Sequence, residues 1–350
     1  MNKKHSDAQS REHGEGTVRR GCVRRSRFAA MAALAAVGVA LSSCGLQSSA
    51  AFVKEPGPGS LEQVEGAEDQ EVVVTSKNFT EQQIVGKIAV LTAKASGFKV
   101  KDLTNVPGSV PARKLMEQHK ADVMFDYTGT VWLSYLGGEE GIPDPQKQWQ
   151  AVADADRKNS IAWGKPGKLN NTYAIAYRSN AAEKLGNPKN LSDVAKLPVE
   201  ERTFCVEAEF NSRGDGFKPM LELYEMDYGK GDGVPASNVS VMDTGAVYEA
   251  TARGTCNFGE VFATDGRIKS LGLTVLEDDR KFFPSYEIAP LYNAEFIEKY
   301  PQLEKNYEKI TAKMNNETFQ ELNLKVDVEG QDPSDVAYDW MVSEGFISEK

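Results

Sequence analysis

The sequence contains few residues of the kinds that build metal centres or nucleophilic active sites. Three histidines and four cysteines occur in 350 residues, and His119 is the only histidine after residue 43. Protein metal sites rely on clusters of His, Cys and carboxylate ligands, so neither a metal nor another cofactor is expected. The chain also has no G-x-S-x-G motif and no P-loop, and Gly214–Gly216 lacks the strand and the third glycine of a dinucleotide site. These absences argue against hydrolases and nucleotide-dependent enzymes.

Positive charge is scarce outside the N-terminus. The whole chain has 41 Lys and Arg against 51 Asp and Glu, a net charge of −10, although residues 1–43 alone carry +5. The remainder therefore carries −15 and repels the phosphate backbone of nucleic acids. With 40% hydrophobic and 26% charged residues, the chain has the composition of a globular protein, and its length accommodates two domains.

Long hydrophobic runs are missing except for Phe28–Leu41, which follows Arg24, Arg25 and Arg27. This run is shorter than the roughly 20 residues of a membrane-spanning helix and is typical of a secretory signal. The next residues, Leu-Ser-Ser-Cys, are similar to a bacterial lipobox ending at Cys44. We therefore predict a signal peptide over 1–43 and a lipidated Cys44 that anchors the protein to the outer face of a bacterial cell membrane. The alternative is an ordinary signal with an incidental cysteine.

Two cysteines, Cys205 and Cys256, remain in the predicted body of the protein, each in a predicted strand. An oxidising compartment lets a disulfide persist, which favours a bridge; two buried free thiols are the alternative.

The order of elements predicts an α/β fold. Residues 44–70, with Pro and Gly followed by acidic residues, are predicted to form a flexible tether. A valine-rich strand begins at Glu71, Thr80 and Gln83 fit a helix capping box, and alternating strands and helices continue to Phe125. Such a β-α-β-α-β series predicts mostly parallel sheets.

The strand Asp122–Phe125 runs into the sequence Asp-Tyr-Thr-Gly-Thr at 126–130. This places an aromatic ring and hydroxyl groups at the carboxyl edge of a sheet, where open α/β folds bind ligands. The motif resembles the signature of the substrate-binding lipoproteins of osmoprotectant ABC importers. Further stretches similar to that family follow one another in the same order, at 76–82, 170–174, 264–268 and 325–330.

This resemblance spans roughly residues 71–345 and implies a type II periplasmic-binding-protein fold with a hinge between two lobes. Lobe one would comprise residues 71–170 and 284–350, and lobe two residues 171–283. The family captures glycine betaine and similar compounds and delivers them to a membrane permease driven by ATPase subunits. The resemblance thus implies a monomeric binding protein without catalytic activity, partnered by an ABC permease and not by nucleic acid.

A trimethylammonium group carries positive charge but no N–H donor, so aromatic faces must bind it. The resemblance assigns this cage to Tyr127, Tyr173, Phe262 and Tyr286, with Phe262 standing where the family usually has tyrosine. The ligand's carboxylate needs cations or hydroxyl donors. The resemblance assigns that end of the ligand to Lys77, Thr130 and Arg213, with Asn171 lining the pocket.

Three alternatives stay open at this point. A bulkier betaine such as carnitine or ergothioneine satisfies the same charge arrangement, and Phe262 leaves the choice of ligand undecided. A secreted two-lobed enzyme and a lipid-anchored adhesin are alternatives of a different class. Turnover of a quaternary amine would indicate the enzyme, and an absence of small-ligand binding would indicate the adhesin.

Overall fold

The computed structural model describes residues 53–350. The predicted signal peptide 1–43, the predicted lipidation site Cys44 and residues 45–52 lie outside the described part. The described part contains ten strands: β1 Glu71–Lys77, β2 Lys99–Val106, β3 Val123–Tyr127, β4 Ile161–Trp163, β5 Tyr173–Arg178, β6 Phe204–Glu207, β7 Val239–Met242, β8 Phe258–Phe262, β9 Leu273–Val275 and β10 Ile288–Asn293. The α-helices are α1 Thr80–Ala95, α2 Ser109–Glu117, α3 Thr128–Ser134, α4 Pro145–Asp156, α5 Leu191–Val194, α6 Ala208–Ser212, α7 Phe217–Leu223, α8 Thr244–Arg253, α9 Arg267–Ser270, α10 Ala294–Lys299, α11 Pro301–Thr311, α12 Asn316–Asp327 and α13 Pro333–Ser343.

The strands form two sheets of five, in the orders β2-β1-β3-β10-β4 and β7-β6-β8-β5-β9. We call the part built on the first sheet the first lobe and the part built on the second sheet the second lobe. The chain crosses between them twice, after β4 and after β9. The two-lobed α/β fold that the resemblance implied is therefore confirmed.

Both sheets are mixed, whereas mostly parallel sheets were predicted. In the first lobe β1 runs parallel to β2 and β3, but β10 is antiparallel to β3 and β4. In the second lobe β6 runs parallel to β7 and β8, but β5 is antiparallel to β8 and β9. The antiparallel strands β5 and β10 are those that follow the two crossovers. Their direction depends on how the chain re-enters a sheet, which the hydrophobic pattern does not encode.

The valine-rich β1 is buried as its sequence predicts, with Val72 and Val74 fully covered. Helix α1 packs on β1 and β2 through Ile84, Ile88 and Leu91, all fully buried. Burying such a side chain contributes about 1.5–3 kcal/mol. This packing fixes the junction between β1 and α1, which faces the second lobe.

Residues 53–70, predicted as part of the tether, pack on the first lobe instead. Leu61, Val64 and Ala67 are buried in its core. The Val64 amide donates to the Ser96 carbonyl at 2.9 Å, and the Gly57 amide donates to the Ser348 carbonyl at 2.8 Å. The prediction followed the overall polarity of this stretch and overlooked these spaced apolar residues, whose burial offsets the cost of ordering the chain.

Cys205 on β6 and Cys256, just before β8, form a disulfide with their Cα atoms 5.7 Å apart.

None of the helices between residues 53 and 350 combines the length and the hydropathy that a membrane crossing needs.

Candidate ligand-binding cleft

A cavity of about 110 Å³ lies between the two lobes. One water needs roughly 10–15 Å³ of such volume, so the cavity has room for a small organic molecule. The structure brings all eight side chains predicted for the ligand to its wall: Lys77, Tyr127, Thr130, Asn171, Tyr173, Arg213, Phe262 and Tyr286. Their positions in the sequence are far apart, and the ends of strands from both lobes bring them together.

The first lobe supplies its residues from neighbouring strand ends. Lys77 closes β1, Tyr127 closes β3, and Tyr127 pairs with Ile288 at the start of β10. Tyr286 lies two residues before β10 and packs against Gly129 in the first turn of α3. A Cβ at Gly129 would stand 2.7 Å from the Ser285 carbonyl oxygen and 2.9 Å from the Tyr286 ring. Only glycine therefore lets α3 begin this close to Tyr286.

The second lobe supplies Tyr173 and Phe262 as directly opposed residues of the antiparallel pair β5–β8. Opposed side chains in such a pair lie on the same face of the sheet, so the two rings are neighbours on one face of the second sheet. Arg213 follows the short helix α6. Two of the predicted second-lobe residues thus lie at strand ends, and the third lies at the end of a helix.

Five aromatic rings form a continuous series along the cavity. The ring centroids are 6.1 Å apart for Tyr127–Phe79, 5.3 Å for Phe79–Phe262, 5.2 Å for Phe262–Tyr173 and 5.8 Å for Tyr173–Tyr286. Sequence reasoning missed Phe79. Its position directly after the β1 end, within the family-like stretch 76–82, was the signal that could have found it. We call these five rings the aromatic wall.

The two predicted cations are already paired with carboxylates. Lys77 is 2% exposed, and its Nζ donates to Asp126 Oδ1 at 2.6 Å. Arg213 binds Asp215 through Nε at 2.8 Å and Nη2 at 2.5 Å, and its Nη1 lies 3.2 Å from Glu209 Oε1. Burial acts to lower the pKa of Arg213, but Tyr173 and Asp215 outweigh it and raise that pKa. Arg213 is therefore charged, and both side chains form ion pairs within the protein itself.

Despite these ion pairs, Lys77 and Thr130 still have hydrogen-bond donors available for the carboxylate of a ligand. An ammonium has three N–H bonds, and Lys77 donates one side-chain hydrogen bond within the described structure. The Thr130 hydroxyl accepts a long contact from Arg213 Nη2 at 3.4 Å, which leaves its own proton available. Sequence reasoning placed the carboxylate-binding role on these residues without predicting the carboxylate partners of the two cations. Asp126 on β3 pairs with Lys77, and Glu209 and Asp215, on either side of Arg213 in the sequence, pair with Arg213.

Two carboxylates that sequence reasoning missed offset the charges of Lys77 and Arg213 at the cavity. Glu207 and Glu209 line it. Burial raises the pKa of Glu207. Burial also acts to raise the pKa of Glu209, but the charge of Lys77 and a hydrogen bond from Ser109 lower it overall. An ionised Glu209 beside the aromatic wall favours a cationic ligand head.

Glu81 joins the two lobes beneath the cavity. It is 2% exposed and accepts hydrogen bonds from the Tyr127 hydroxyl at 2.6 Å, Asn171 Nδ2 at 3.1 Å and the Thr264 hydroxyl at 2.6 Å. Tyr127 belongs to the first lobe, Thr264 follows β8 of the second, and Asn171 lies on the crossover. Burial raises the pKa of Glu81, and these donors oppose the rise.

Glu260 on β8 is expected to make the stability of the protein depend on pH. It is 2% exposed, and burial raises its pKa well above the ordinary 4.5. The folded protein therefore keeps a proton that the unfolded chain releases, so the contribution of Glu260 to stability falls as the pH rises above about 4.5. We expect Glu260→Gln to become progressively more stable than the wild type between about pH 5 and pH 8, measured by urea unfolding.

The matched control is Glu321→Gln, which removes an exposed carboxylate on α12 and should leave the pH profile unchanged. Parallel stability profiles for the wild type and Glu260→Gln would contradict the prediction.

Within residues 53–350, no group of three or more His, Cys, Asp and Glu side chains is arranged to hold a metal ion.

Two α/β lobes, two crossovers and an aromatic cleft between the lobes define a two-lobed solute-binding protein. Comparison with known proteins gives the family. The profile of the substrate-binding domain of ABC-type glycine betaine transport systems matches residues 70–343, and the chain belongs to that family.

Individual relatives agree with this assignment. The glycine-betaine-binding protein of Pseudomonas aeruginosa is 32% identical over 283 residues, covering 79% of this chain and 88% of that protein. The carnitine transport binding protein OpuCC of Listeria monocytogenes is 28% identical and covers 89% of this chain and 94% of its own. A solved structure described as a glycine betaine/carnitine/choline ABC transporter has a TM-score of 0.64 and 26% identity, covering 79% of this chain and 99% of that chain.

Proposed function

We propose that this protein is the extracytoplasmic solute-binding component of an ABC importer for a quaternary-ammonium osmoprotectant, a zwitterion of the glycine betaine type. The observation that carries the proposal is the convergence, on one cavity between the lobes, of the eight residues that the family resemblance assigned to the ligand. The aromatic wall binds the trimethylammonium head, since cations bind aromatic faces without hydrogen bonds. Lys77, Thr130 and Arg213 bind the carboxylate, with Asn171 beside them.

Ligand favours closure of the two lobes because each lobe supplies part of the site. Tyr127 and Tyr286 belong to the first lobe, and Tyr173, Arg213 and Phe262 belong to the second. A ligand that contacts both sets binds the closed form more tightly than the open form and shifts the population toward it. The closed form then delivers the ligand to the permease, whose ATPase subunits drive import.

The proposal extends to the cellular location. A signal peptide over 1–43 and acyl chains on Cys44 would hold a monomeric binding protein on the outer face of a bacterial membrane. The protein acts by binding alone and carries out no chemical conversion of its ligand.

A bulkier betaine, such as carnitine or ergothioneine, is the second candidate ligand. Phe262 supports it, because phenylalanine retains the aromatic face without the hydroxyl that tyrosine would bring into the cavity. An enzyme of the same fold is a candidate of a different class, and conversion of any bound quaternary amine would establish it.

We expect glycine betaine to raise the melting temperature of the purified protein. A ligand at about 100 times its Kd adds about 2.7 kcal/mol to the free energy of unfolding, which corresponds to about 4 °C for a chain of this size. The measurement is a thermal-shift series with glycine betaine, choline, carnitine, proline betaine and ergothioneine, and with sucrose as the control for non-specific stabilisation. The absence of a shift with every quaternary amine would refute the aromatic cage.

A further inference from the structure

The carboxyl group of Glu81 lies next to the ligand cavity without lining it. Glu81 is the second residue of α1 and is 2% exposed. The ring of Tyr127 lines the cavity as part of the aromatic wall, and its hydroxyl donates to Glu81 Oε1 at 2.6 Å. One tyrosine side chain therefore separates this carboxyl group from the site proposed for the trimethylammonium head.

The groups around Glu81 fit an ionised carboxylate. Its Oε1 accepts hydrogen bonds from the Tyr127 hydroxyl and from Asn171 Nδ2. Its Oε2 accepts from the Thr264 hydroxyl at 2.6 Å and from Asn323 Nδ2 at 3.5 Å. The NH2 group of an asparagine can only donate, and an ionised carboxylate can only accept. Each oxygen thus has two donors, and these hydrogen bonds favour the charged form against the effect of burial.

No cation in the described part of the chain pairs with this carboxylate. Within residues 53–350, Glu81 forms no ion pair with a lysine, an arginine or a histidine. Lys77, Arg213 and Arg267 each form an ion pair with an aspartate instead. A buried charge without an opposite charge is costly. A cationic ligand head on the cavity side of the Tyr127 ring would supply the missing positive charge.

We propose that Glu81 determines specificity for charge: acting through Tyr127, its carboxylate makes the cavity select a cationic ligand head over a neutral head of the same shape. This inference rests on the proposed function and assigns part of its selectivity to a residue outside the cavity. The attraction between a cation and an aromatic face is electrostatic, so a negative charge at the hydroxyl end of the ring strengthens it. A cation over the ring stands roughly 10 Å from that charge, and at an effective dielectric constant of about 20 the attraction changes affinity by about tenfold.

The test compares two ligands that differ in charge at the head alone. Glycine betaine is paired with 3,3-dimethylbutanoate, in which a neutral tert-butyl group replaces the trimethylammonium group. Isothermal titration measures both against the wild type and Glu81→Gln, which replaces the charge by a neutral amide of the same shape. We expect Glu81→Gln to weaken glycine betaine binding by about tenfold and to leave the affinity for the tert-butyl analogue unchanged. A purely structural role for Glu81, such as orienting Tyr127, would weaken both ligands equally.

The matched control is Thr264→Val. It removes one hydrogen bond to Glu81 and its link to the second lobe, but it keeps the carboxylate. We expect this variant to bind glycine betaine within about threefold of the wild type, a smaller loss than the charge removal causes. If the tert-butyl analogue binds too weakly to titrate, the comparison of the two variants with glycine betaine decides the question. If Glu81→Gln does not fold, Glu81→Met, whose flexible side chain adapts to buried space, takes its place.

Three results would overturn the inference and leave the proposed function intact. They are unchanged glycine betaine binding in Glu81→Gln, equal losses for the two ligands, and equal losses in the Glu81 and Thr264 variants. Failure of the wild type to bind glycine betaine or any other quaternary amine would overturn both the inference and the proposed function.

Discussion

Replacing Tyr127 and Tyr286 together by leucine is expected to weaken glycine betaine binding by about 5- to 1,000-fold, because each cation–π contact contributes roughly 0.5–2 kcal/mol. Leucine keeps an apolar side chain at both positions and removes the aromatic face. The two rings stand at opposite ends of the aromatic wall, and both belong to the first lobe. Isothermal titration of the double variant against the wild type measures the loss.

The control for this experiment is the double phenylalanine variant. Both hydroxyls make hydrogen bonds, from Tyr127 to Glu81 at 2.6 Å and from Tyr286 to Asp215 at 2.7 Å. Phenylalanine removes these bonds but retains both rings, so its binding should fall by less than about tenfold. Equal losses in the leucine and phenylalanine variants would assign binding to the hydroxyl network and refute the aromatic cage.

Removing the disulfide between Cys205 and Cys256 is expected to lower the free energy of unfolding by about 4 kcal/mol, the loop-closure entropy of a cross-link that spans 51 residues. For a chain of this size that loss corresponds to about 6 °C in melting temperature. Both cysteines are buried, and the bridge ties β6 to the segment before β8. Urea unfolding of Cys205→Ala/Cys256→Ala against the oxidised wild type measures the effect.

Reductant supplies the matched control for the disulfide. Adding it during unfolding should bring the wild-type midpoint down to that of the double alanine variant and should leave the variant's own midpoint unchanged. A double variant that unfolds at the same urea concentration as the oxidised wild type would contradict the prediction.

The sequence was most informative where strands end. Tyr127, Tyr173 and Phe262 were predicted from their positions at element boundaries together with the family resemblance, and the structure brings all three to one cavity. A local pattern therefore carried information about a site built from residues distant in the chain.

The sequence was least informative where a side chain pairs with a distant partner. Thr80 fits a capping box locally, yet the N-cap of α1 is Phe79, and the Thr80 hydroxyl donates to Asp327 Oδ1 at 2.6 Å, 247 residues away. The ion pair of Lys77 with Asp126 depends in the same way on the pairing of β1 with β3, which brings together residues 49 positions apart. No periodicity or local motif contains that information.

The packing of residues 53–70 has a mechanical consequence. Hydrogen bonds from this segment go to α1, to α11 and to the chain's final residues, as in the pairs Val64–Ser96, Glu62–Asn306 and Gly57–Ser348. A pull on the N-terminal side of Val53 is therefore transmitted to the first lobe and bypasses the hinge. If the proposed lipid anchor at Cys44 holds the protein, the first lobe would be the anchored half of the molecule, and the second lobe could move without straining the attachment.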